Sequence, residues 1–334
     1  MEPGMVAQES RRTFEVLLAT WNGERFLAAL LDSLLAQDFG DFTILARDDC
    51  SDDKTAAILD DYACRFPGRL RILATPRQRG GACSNFGALI EAATADFIFL
   101  CDQDDIWLPN KMSVTYAAMA ALMSGRSADC PLLVHTDLAV VGRNLEPLGE
   151  SYFRYAGVDP RHNGLRQLLL ANVATGCTAL LNRALYELAR PIPEVVLMHD
   201  HWLAQVAAGL GEISVVPQAT ILYRQHAANA VGTEKASVSR FLRRVERTFF
   251  SDSSLSVLQA YSRHAEVLLE RYGDRLDAAA RKQLAALAEV WTLPRFRRFA
   301  GLWRAGVRKS GLAQNVAMLL LLLRNDIAPR AARA

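Results

Sequence analysis

Along the first hundred residues, short apolar runs alternate with stretches whose apolar positions recur every three or four residues. The runs Phe14–Thr20, Phe42–Ala46, Leu70–Ala74 and Phe97–Leu100 predict buried strands. The stretches Gly23–Gln37, Asp53–Phe66 and Ser84–Ala93 predict helices, the first with Phe26, Leu27, Leu30, Leu31, Leu34 and Leu35 on one face. Phe97–Leu100 is apolar at every position, which suits a strand covered on both faces, as in a parallel sheet. Repeated strand–helix units predict an α/β fold on an open, doubly wound, mostly parallel sheet flanked by helices. In such sheets ligands bind beyond the carboxyl ends of the strands.

After Pro131 the order is looser. A strand is predicted at Leu132–Val141, then a loop rich in Gly, Tyr and Arg, a strand at Val173–Leu181 and a helix at Asp200–Leu210. Beyond Gly232 the pattern is wholly helical and basic. Three segments follow: a disordered N-terminus over 1–12, an α/β domain over 13–232 and a helical, basic C-terminal region over 233–334.

Charge sharpens that division. The formal net charge is only +2, but residues 235–334 hold 19 Lys/Arg against 8 Asp/Glu, leaving 19 against 28 in residues 1–234. An acidic front and a basic tail imply different partners. The six cysteines are scattered with no CxxC pair, so neither a zinc knuckle nor a disulfide framework is expected. Reduced thiols and the lack of a recognisable secretory leader predict a cytoplasmic protein. The longest apolar stretch, Val316–Leu323, is far below the ~20 residues of a membrane-spanning helix.

The chemistry gathers at the strand ends. The first strand ends at Thr20-Trp21-Asn22-Gly23, the second at Arg47-Asp48-Asp49-Cys50-Ser51-Asp52-Asp53 and the fourth at Asp102-Gln103-Asp104-Asp105. Carboxylates repel one another at close quarters. Oxygen-only ligands with no His or Cys beside them favour Mg²⁺ or Mn²⁺. In extended backbone, residues two apart face the same way, so Asp102 and Asp104 can reach one ion while Asp105 faces away. Such an ion would neutralise a nucleoside diphosphate leaving group. An Asp-x-Asp triplet alone is common in loops; its place after a buried strand, with a second acidic cluster after another, singles it out. Asp52 and Asp53 suit capping of the following helix. Asp48 or Asp49 suits a hydrogen bond from a nucleobase.

His199-Asp200-His201-Trp202 forms a second concentration. Asp200 fits either a helix cap or a general base that deprotonates a sugar hydroxyl. His199, His201 and His226 lack the i, i+4 spacing of a helical zinc site, though His226 fits as one ligand to the diphosphate's metal. Arg224 fits a diphosphate contact. There is no GxxxxGK[ST] loop, and Gly80–Gly87 lacks GxGxxG spacing. That segment predicts a turn into a helix capped by Ser84 or Asn85.

With these motifs in hand, the chain resembles the family 2 glycosyltransferases of the GT-A fold. The matching pieces are Ala19–Glu24, Arg47–Asp52, Asp102–Trp107 with Pro109-Asn110-Lys111, Thr175–Thr178, His199–Trp202 and Tyr223–His226, in the family's order over residues 14–226. The Asp-Gln-Asp-Asp form and the Tyr-Arg-Gln-His ending are closest to the bacterial rhamnosyltransferase-like branch, which builds O-antigen, lipopolysaccharide core and related surface glycans. The resemblance implies an inverting transfer from dTDP-L-rhamnose to a hydroxyl of a glycan or lipid-linked precursor. It also implies metal at Asp104 with Asp102 nearer the nucleotide, base contact at Asp49 and a catalytic base at Asp200. The nucleotide-sugar set comprises Thr20, Trp21, Asn22, Glu24, Asp48, Asp49, Asp102, Gln103 and Arg224. His199, His201 and Trp202 stand on the acceptor side. Trp21 replaces a usual Tyr, His201 a usual Asp or Trp, and Cys50 a usual Gly, the residue that takes positive φ freely. UDP- or GDP-linked donors are the alternative. A sugar nucleotidyltransferase would show a basic phosphate loop after the first strand, where this chain has Thr20–Glu24.

The basic tail alternates Val238, Phe241, Leu242, Val245 and Phe249 with Arg240, Arg243, Arg244 and Arg247. It repeats the pattern with Phe296, Phe299, Trp303 and Val307 against Arg297, Arg298, Arg304 and Arg308. Basic amphipathic helices with aromatics predict an anchor on an anionic inner-membrane surface. Packing on the α/β domain or on a second copy of the chain is the alternative. Nucleic acid is not expected, because the basic positions face an apolar stripe rather than an aromatic binding sheet.

Overall fold

The structure is a computed structural model that describes residues 12–75, 78–225, 252–309 and 311–324. Its centre is a nine-stranded sheet. Strands β1 (Phe14–Thr20), β2 (Thr43–Asp48), β3 (Leu70–Ile72) and β4 (Phe97–Asp102) run parallel in the order β3-β2-β1-β4. Beyond β4 the sheet turns mixed. It continues through β8 (Leu180–Asn182), β6 (Leu132–Val141), β9 (Glu212–Arg224) and β5 (Ile106–Trp107), with β7 (Pro147–Gly149) on β6.

Both sheet faces are apolar, as the continuous runs required. On β1, Val16 and Leu18 join one core while Leu17 joins the other; on β4, Phe97 and Phe99 face oppositely to Ile98 and Leu100. The first face is covered by α1 (Leu27–Leu35), α2 (Thr55–Arg65) and α4 (Lys111–Met123), through Leu30, Leu34, Leu59, Met112 and Met119. The second is covered by α3 (Gly81–Ala92), α7 (Arg183–Ala189) and α8 (His199–Leu210). Short helices α5 (Tyr152–Ala156) and α6 (Leu165–Leu168) lie in the loop after β7. Each side chain buried there from water contributes roughly 1.5–3 kcal/mol before entropy is counted.

Among the described residues four helices follow: α9 (Asp252–Tyr272), α10 (Ala278–Ala288), α11 (Arg295–Ala305) and α12 (Leu312–Leu322). They share the second core. Leu258, Leu268, Leu284, Leu287 and Leu302 belong to the same apolar cluster as Trp202, Leu203 and Val206. On α11 the faces differ from the periodic reading. Arg298 is buried, donates from Nε to the Leu293 carbonyl and lies over Trp291, whereas Phe296 and Trp303 are exposed. Val307 lies beyond the helix, after Gly306 in the left-handed region. The segment Val238–Phe249 falls outside the described residues.

Two sequence expectations change here, and one strand is added. The strand expected over Val173–Leu181 is a single 3-10 turn, Gly176–Thr178, followed by the short β8. Helix α3 starts at Gly81, so Ser84 and Asn85 lie inside it and do not cap it. Strand β9 was unread because Pro217 and Gln218 interrupt its apolar pattern, and its register against β6 shifts near Thr136. The chain enters β9 through Gly211, where a Cβ would meet the Pro131 carbonyl oxygen at 1.8 Å.

Candidate active site

Register levels the carboxyl ends of three strands. Thr20 on β1 stands opposite Asp48 on β2, and Ala19 opposite Asp102 on β4. The residues just beyond them open into one cavity of about 550 Å³. Its walls include Thr20, Trp21, Asp49, Asp102, Gln103, Asp104, His199, Asp200 and His201. That volume suits a small-molecule ligand.

At one end the turns after β1 and β2 are laced together. Thr20 Oγ1 and Ser51 Oγ donate to Asp48 Oδ1 at 2.9 and 2.6 Å, so Asp48 is spent on the turn and does not line the cavity. Asn22 Oδ1 accepts from the Asp52 N–H, and Glu24 Oε2 from the Lys54 N–H. Asn22 and Glu24 therefore brace the cavity rim and do not line it. Asp53 accepts from the Thr55 and Glu24 amides, fastening α2 to the first turn. Cys50 takes φ 64°, so the left-handed turn forms with Cys in place of Gly.

Asp49 does face the cavity and accepts from the Gly80 and Gly81 N–H groups at 3.0 and 2.7 Å. Arg79 lies 4.0 Å from Asp49, and its guanidinium covers the Trp21 ring at 3.3 Å. Gln103 clamps Trp21: it accepts from the Trp21 N–H at 2.8 Å and donates to the Trp21 carbonyl at 2.6 Å. Asn85, read as a cap, instead donates to the Thr20 and Arg47 carbonyls and ties β1 to β2.

The acidic triplet forms the floor. Burial first, then Asp104 and Asp200, push the Asp102 carboxyl up to about 7. Clustered carboxylates that raise one another in this way suit a hard divalent cation. Asp105 points into the protein, is fully buried and accepts from the Arg224 N–H at 3.1 Å. Among the described residues, the ligand atoms of Asp102, Asp105 and Cys177 approach within 4.8 Å of one another. Burial, with Asp105 and Asp102 alongside, holds the Cys177 thiol well above its ordinary value. Of the acidic and thiol groups here, Asp102 and Asp104 line the cavity, whereas Asp105 and Cys177 do not. Arg224 does not line the cavity: its Nε donates to the Asp104 carbonyl, its Nη1 to the Arg143 carbonyl, and Phe26 lies under it. It supports the triplet from behind. His226 lies outside the described residues.

The opposite wall is the first turn of α8. Asp200 accepts from the Gly176 N–H at 3.1 Å and from its neighbour His201 N–H at 2.7 Å. Gly176 permits the approach: a Cβ there would sit 3.2 Å from both Asp200 Cβ and His199 Nε2. Burial raises the Asp200 carboxyl to about 6 even against these donors. A helix N-terminus and two N–H donors keep a carboxylate available near neutral pH, where a base must work. His199 stacks on Phe86 at 3.9 Å, and burial pushes it down to about 3, so it is a neutral wall. His201 is turned toward the Leu168 carbonyl and Gln205. Trp202, expected on the acceptor side, is instead core: fully buried, its Nε1 donates to the Ala189 carbonyl.

Residues 15–187 match the model of glycosyl transferase family 2. The chain belongs to this family. It is 27% identical over 241 residues to the dTDP-rhamnosyl transferase RfbG of Shigella flexneri, covering 68% of this chain and 77% of that one. Its fold is that of GT-A glycosyltransferases. The S. aureus TarS 1-349 structure in complex with UDP-GlcNAc superimposes with TM-score 0.53 at 17% identity, covering 88% of this chain and 90% of that one. The mannosyltransferase PcManGT from Pyrobaculum calidifontis, in complex with GDP-Man and Mn²⁺, gives 0.52 at 17% identity, covering 94% and 86%. The protein is a family 2 glycosyltransferase. Arg79, Asn85, Asn172 and Tyr261 also line the cavity. Motif spacing alone did not single out Arg79, Asn172 or Tyr261.

Proposed function

We propose that this glycosyltransferase moves L-rhamnose, with inversion, from dTDP-L-rhamnose to a hydroxyl of a cell-surface glycan or lipid-linked precursor. The observation that carries the reading is a single cavity with Asp102 and Asp104 on one side and Asp200 on the other. The likeness to RfbG favours the rhamnosyl donor. The nucleobase would lie against Trp21 beside Asp49. A Mg²⁺ or Mn²⁺ ion held by Asp104 and Asp102 would neutralise the diphosphate. Asp200 takes the proton of the acceptor hydroxyl as its oxygen bonds to the anomeric carbon. The bond from that carbon to the diphosphate oxygen breaks, and the nucleoside diphosphate leaves.

A thermal-shift series with Mn²⁺ and dTDP-L-rhamnose, UDP-GlcNAc, UDP-glucose and GDP-mannose tests the donor. The largest stabilisation is expected with dTDP-L-rhamnose. A larger shift with a UDP- or GDP-sugar would replace that donor, a result toward which the UDP-GlcNAc and GDP-Man complexes of the structural relatives lean.

The setting we propose is the cytoplasmic face of the inner membrane. No helix among the described residues is long and apolar enough to cross a membrane. Yet Phe296 and Trp303 on α11 are exposed, with Arg295 and Arg308 against their rings, and Leu312, Val316 and Leu320 are exposed at i, i+4, i+8 on α12. Aromatic and apolar positions beside arginines suit an anionic interface. Co-sedimentation with phosphatidylglycerol vesicles, and none with phosphatidylcholine vesicles, is expected; equal partition, or a salt-stable dimer without lipid, would point to a second copy of the chain instead.

A further inference from the structure

The wall beside Asp200 is not made by the α/β domain alone. Tyr261, on α9, lines the same cavity as Asn172, Met198 and Asp200. It lies far beyond residues 15–187, the segment matched by the family model. We propose that Tyr261 binds the acceptor, stacking on the pyranose ring that carries the attacking hydroxyl and bonding to it through the phenol oxygen. The proposal rests on the assignment of Asp200 as the base.

Three observations support it. The ring is fixed in place. It meets His201 edge-on at 5.3 Å and His264 at 6.3 Å, and His264 Nε2 in turn accepts from the Leu197 N–H at 2.9 Å. A side chain held this way gives up little entropy when a ligand stacks on it. The residue is half-buried and lines the cavity, so it is open to a ligand there. Finally, Tyr261 sits within the electrostatic reach of Asp200: burial first, then that carboxylate, pushes the phenol above its ordinary value. A group that shares the base's surroundings is placed to meet the acceptor, whose C–H face would lie on the ring and whose hydroxyls would reach the phenol.

The test compares two reactions of the full-length chain with Mn²⁺ and whichever nucleotide sugar stabilises it most. Nucleotide release to water needs donor and Asp200 but no acceptor sugar. Nucleotide release stimulated by octyl α-L-rhamnopyranoside, octyl β-D-glucopyranoside or octyl N-acetyl-β-D-glucosaminide needs the acceptor subsite. At least one pyranoside is expected to accelerate release by the wild-type chain. Tyr261→Ala is expected to raise the KM of that pyranoside about tenfold, the scale of one aromatic contact and one hydrogen bond together. Release to water and donor affinity should stay at wild-type values. Tyr261→Phe, which keeps the ring, should recover most of the loss in KM. An unchanged pyranoside KM in Tyr261→Ala overturns the proposal. So does a parallel fall in the water reaction, which would make Tyr261 a support for Asp200. Stimulation by none of the pyranosides in the wild-type chain overturns the pyranose occupant. Loss of the water reaction in Asp200→Asn is read separately and tests the base.

Discussion

Asp200→Asn is expected to bind donor as the wild type does and to lose transfer by about 10²–10⁴-fold, the range of a removed general base. Asn keeps the shape and can still accept from the Gly176 N–H that Asp200 uses. It cannot take a proton. The pH profile gives the second half of the result. The Asp200 carboxyl is raised to about 6, and only its ionised form is a base. At saturating Mn²⁺, which would hold Asp102 ionised, the wild-type kcat/KM should therefore be flat above that value and fall tenfold per unit below it. The variant's residual rate should lack this acid limb. Wild-type turnover in Asp200→Asn, or an acid limb that survives in it, would remove Asp200 from proton transfer.

Asp104→Ala is expected to erase most of the gain in donor affinity that Mn²⁺ confers, a loss of about tenfold or more by analogy with disturbed metal shells. Without metal, the variant should bind donor at least as well as the wild type, because the carboxylate that pushes Asp102 up also repels an unneutralised diphosphate. Calorimetric titration of donor with and without Mn²⁺ reads the difference. An undiminished Mn²⁺ effect in the variant would move the ion elsewhere.

How far these sites were legible in the sequence depends on what each residue does. Strand β1 appears in the structure with the bounds its apolar run predicts, because both its faces are buried and the polar residues in it are only Glu15 and the terminal Thr20. That Glu is itself buried, accepting from the Thr94 and Ala95 amides. That Trp21, Asp49, Asp102 and Asp104 line one cavity was legible because they stand at or just past strand ends. What periodicity could not separate was facing from bracing. Asn22, Glu24, Asp48 and Arg224 have the residue types of ligand-binding groups but spend their hydrogen bonds on the turns that shape the cavity. Trp202 has the look of a site residue because it stands two places from Asp200, yet on a helix residues two apart point to nearly opposite sides, and its ring goes to the core. The opposite failure is Tyr261. It belongs to a helix whose period says only that one face is apolar, and tertiary packing alone brings it to the cavity.

The shared core of the last helices and the sheet bears on how such an enzyme can be re-engineered. Trp202 and Leu203 have no solvent-facing side of their own; Leu268, Leu287 and Leu302 complete their surroundings. A chain cut after β9 would leave a greasy, unroofed slab, and a tail borrowed from another transferase would have to match it shape for shape. Re-engineering the cavity wall at Tyr261 therefore proceeds by single substitutions under the roof, and not by exchanging these helices as a module.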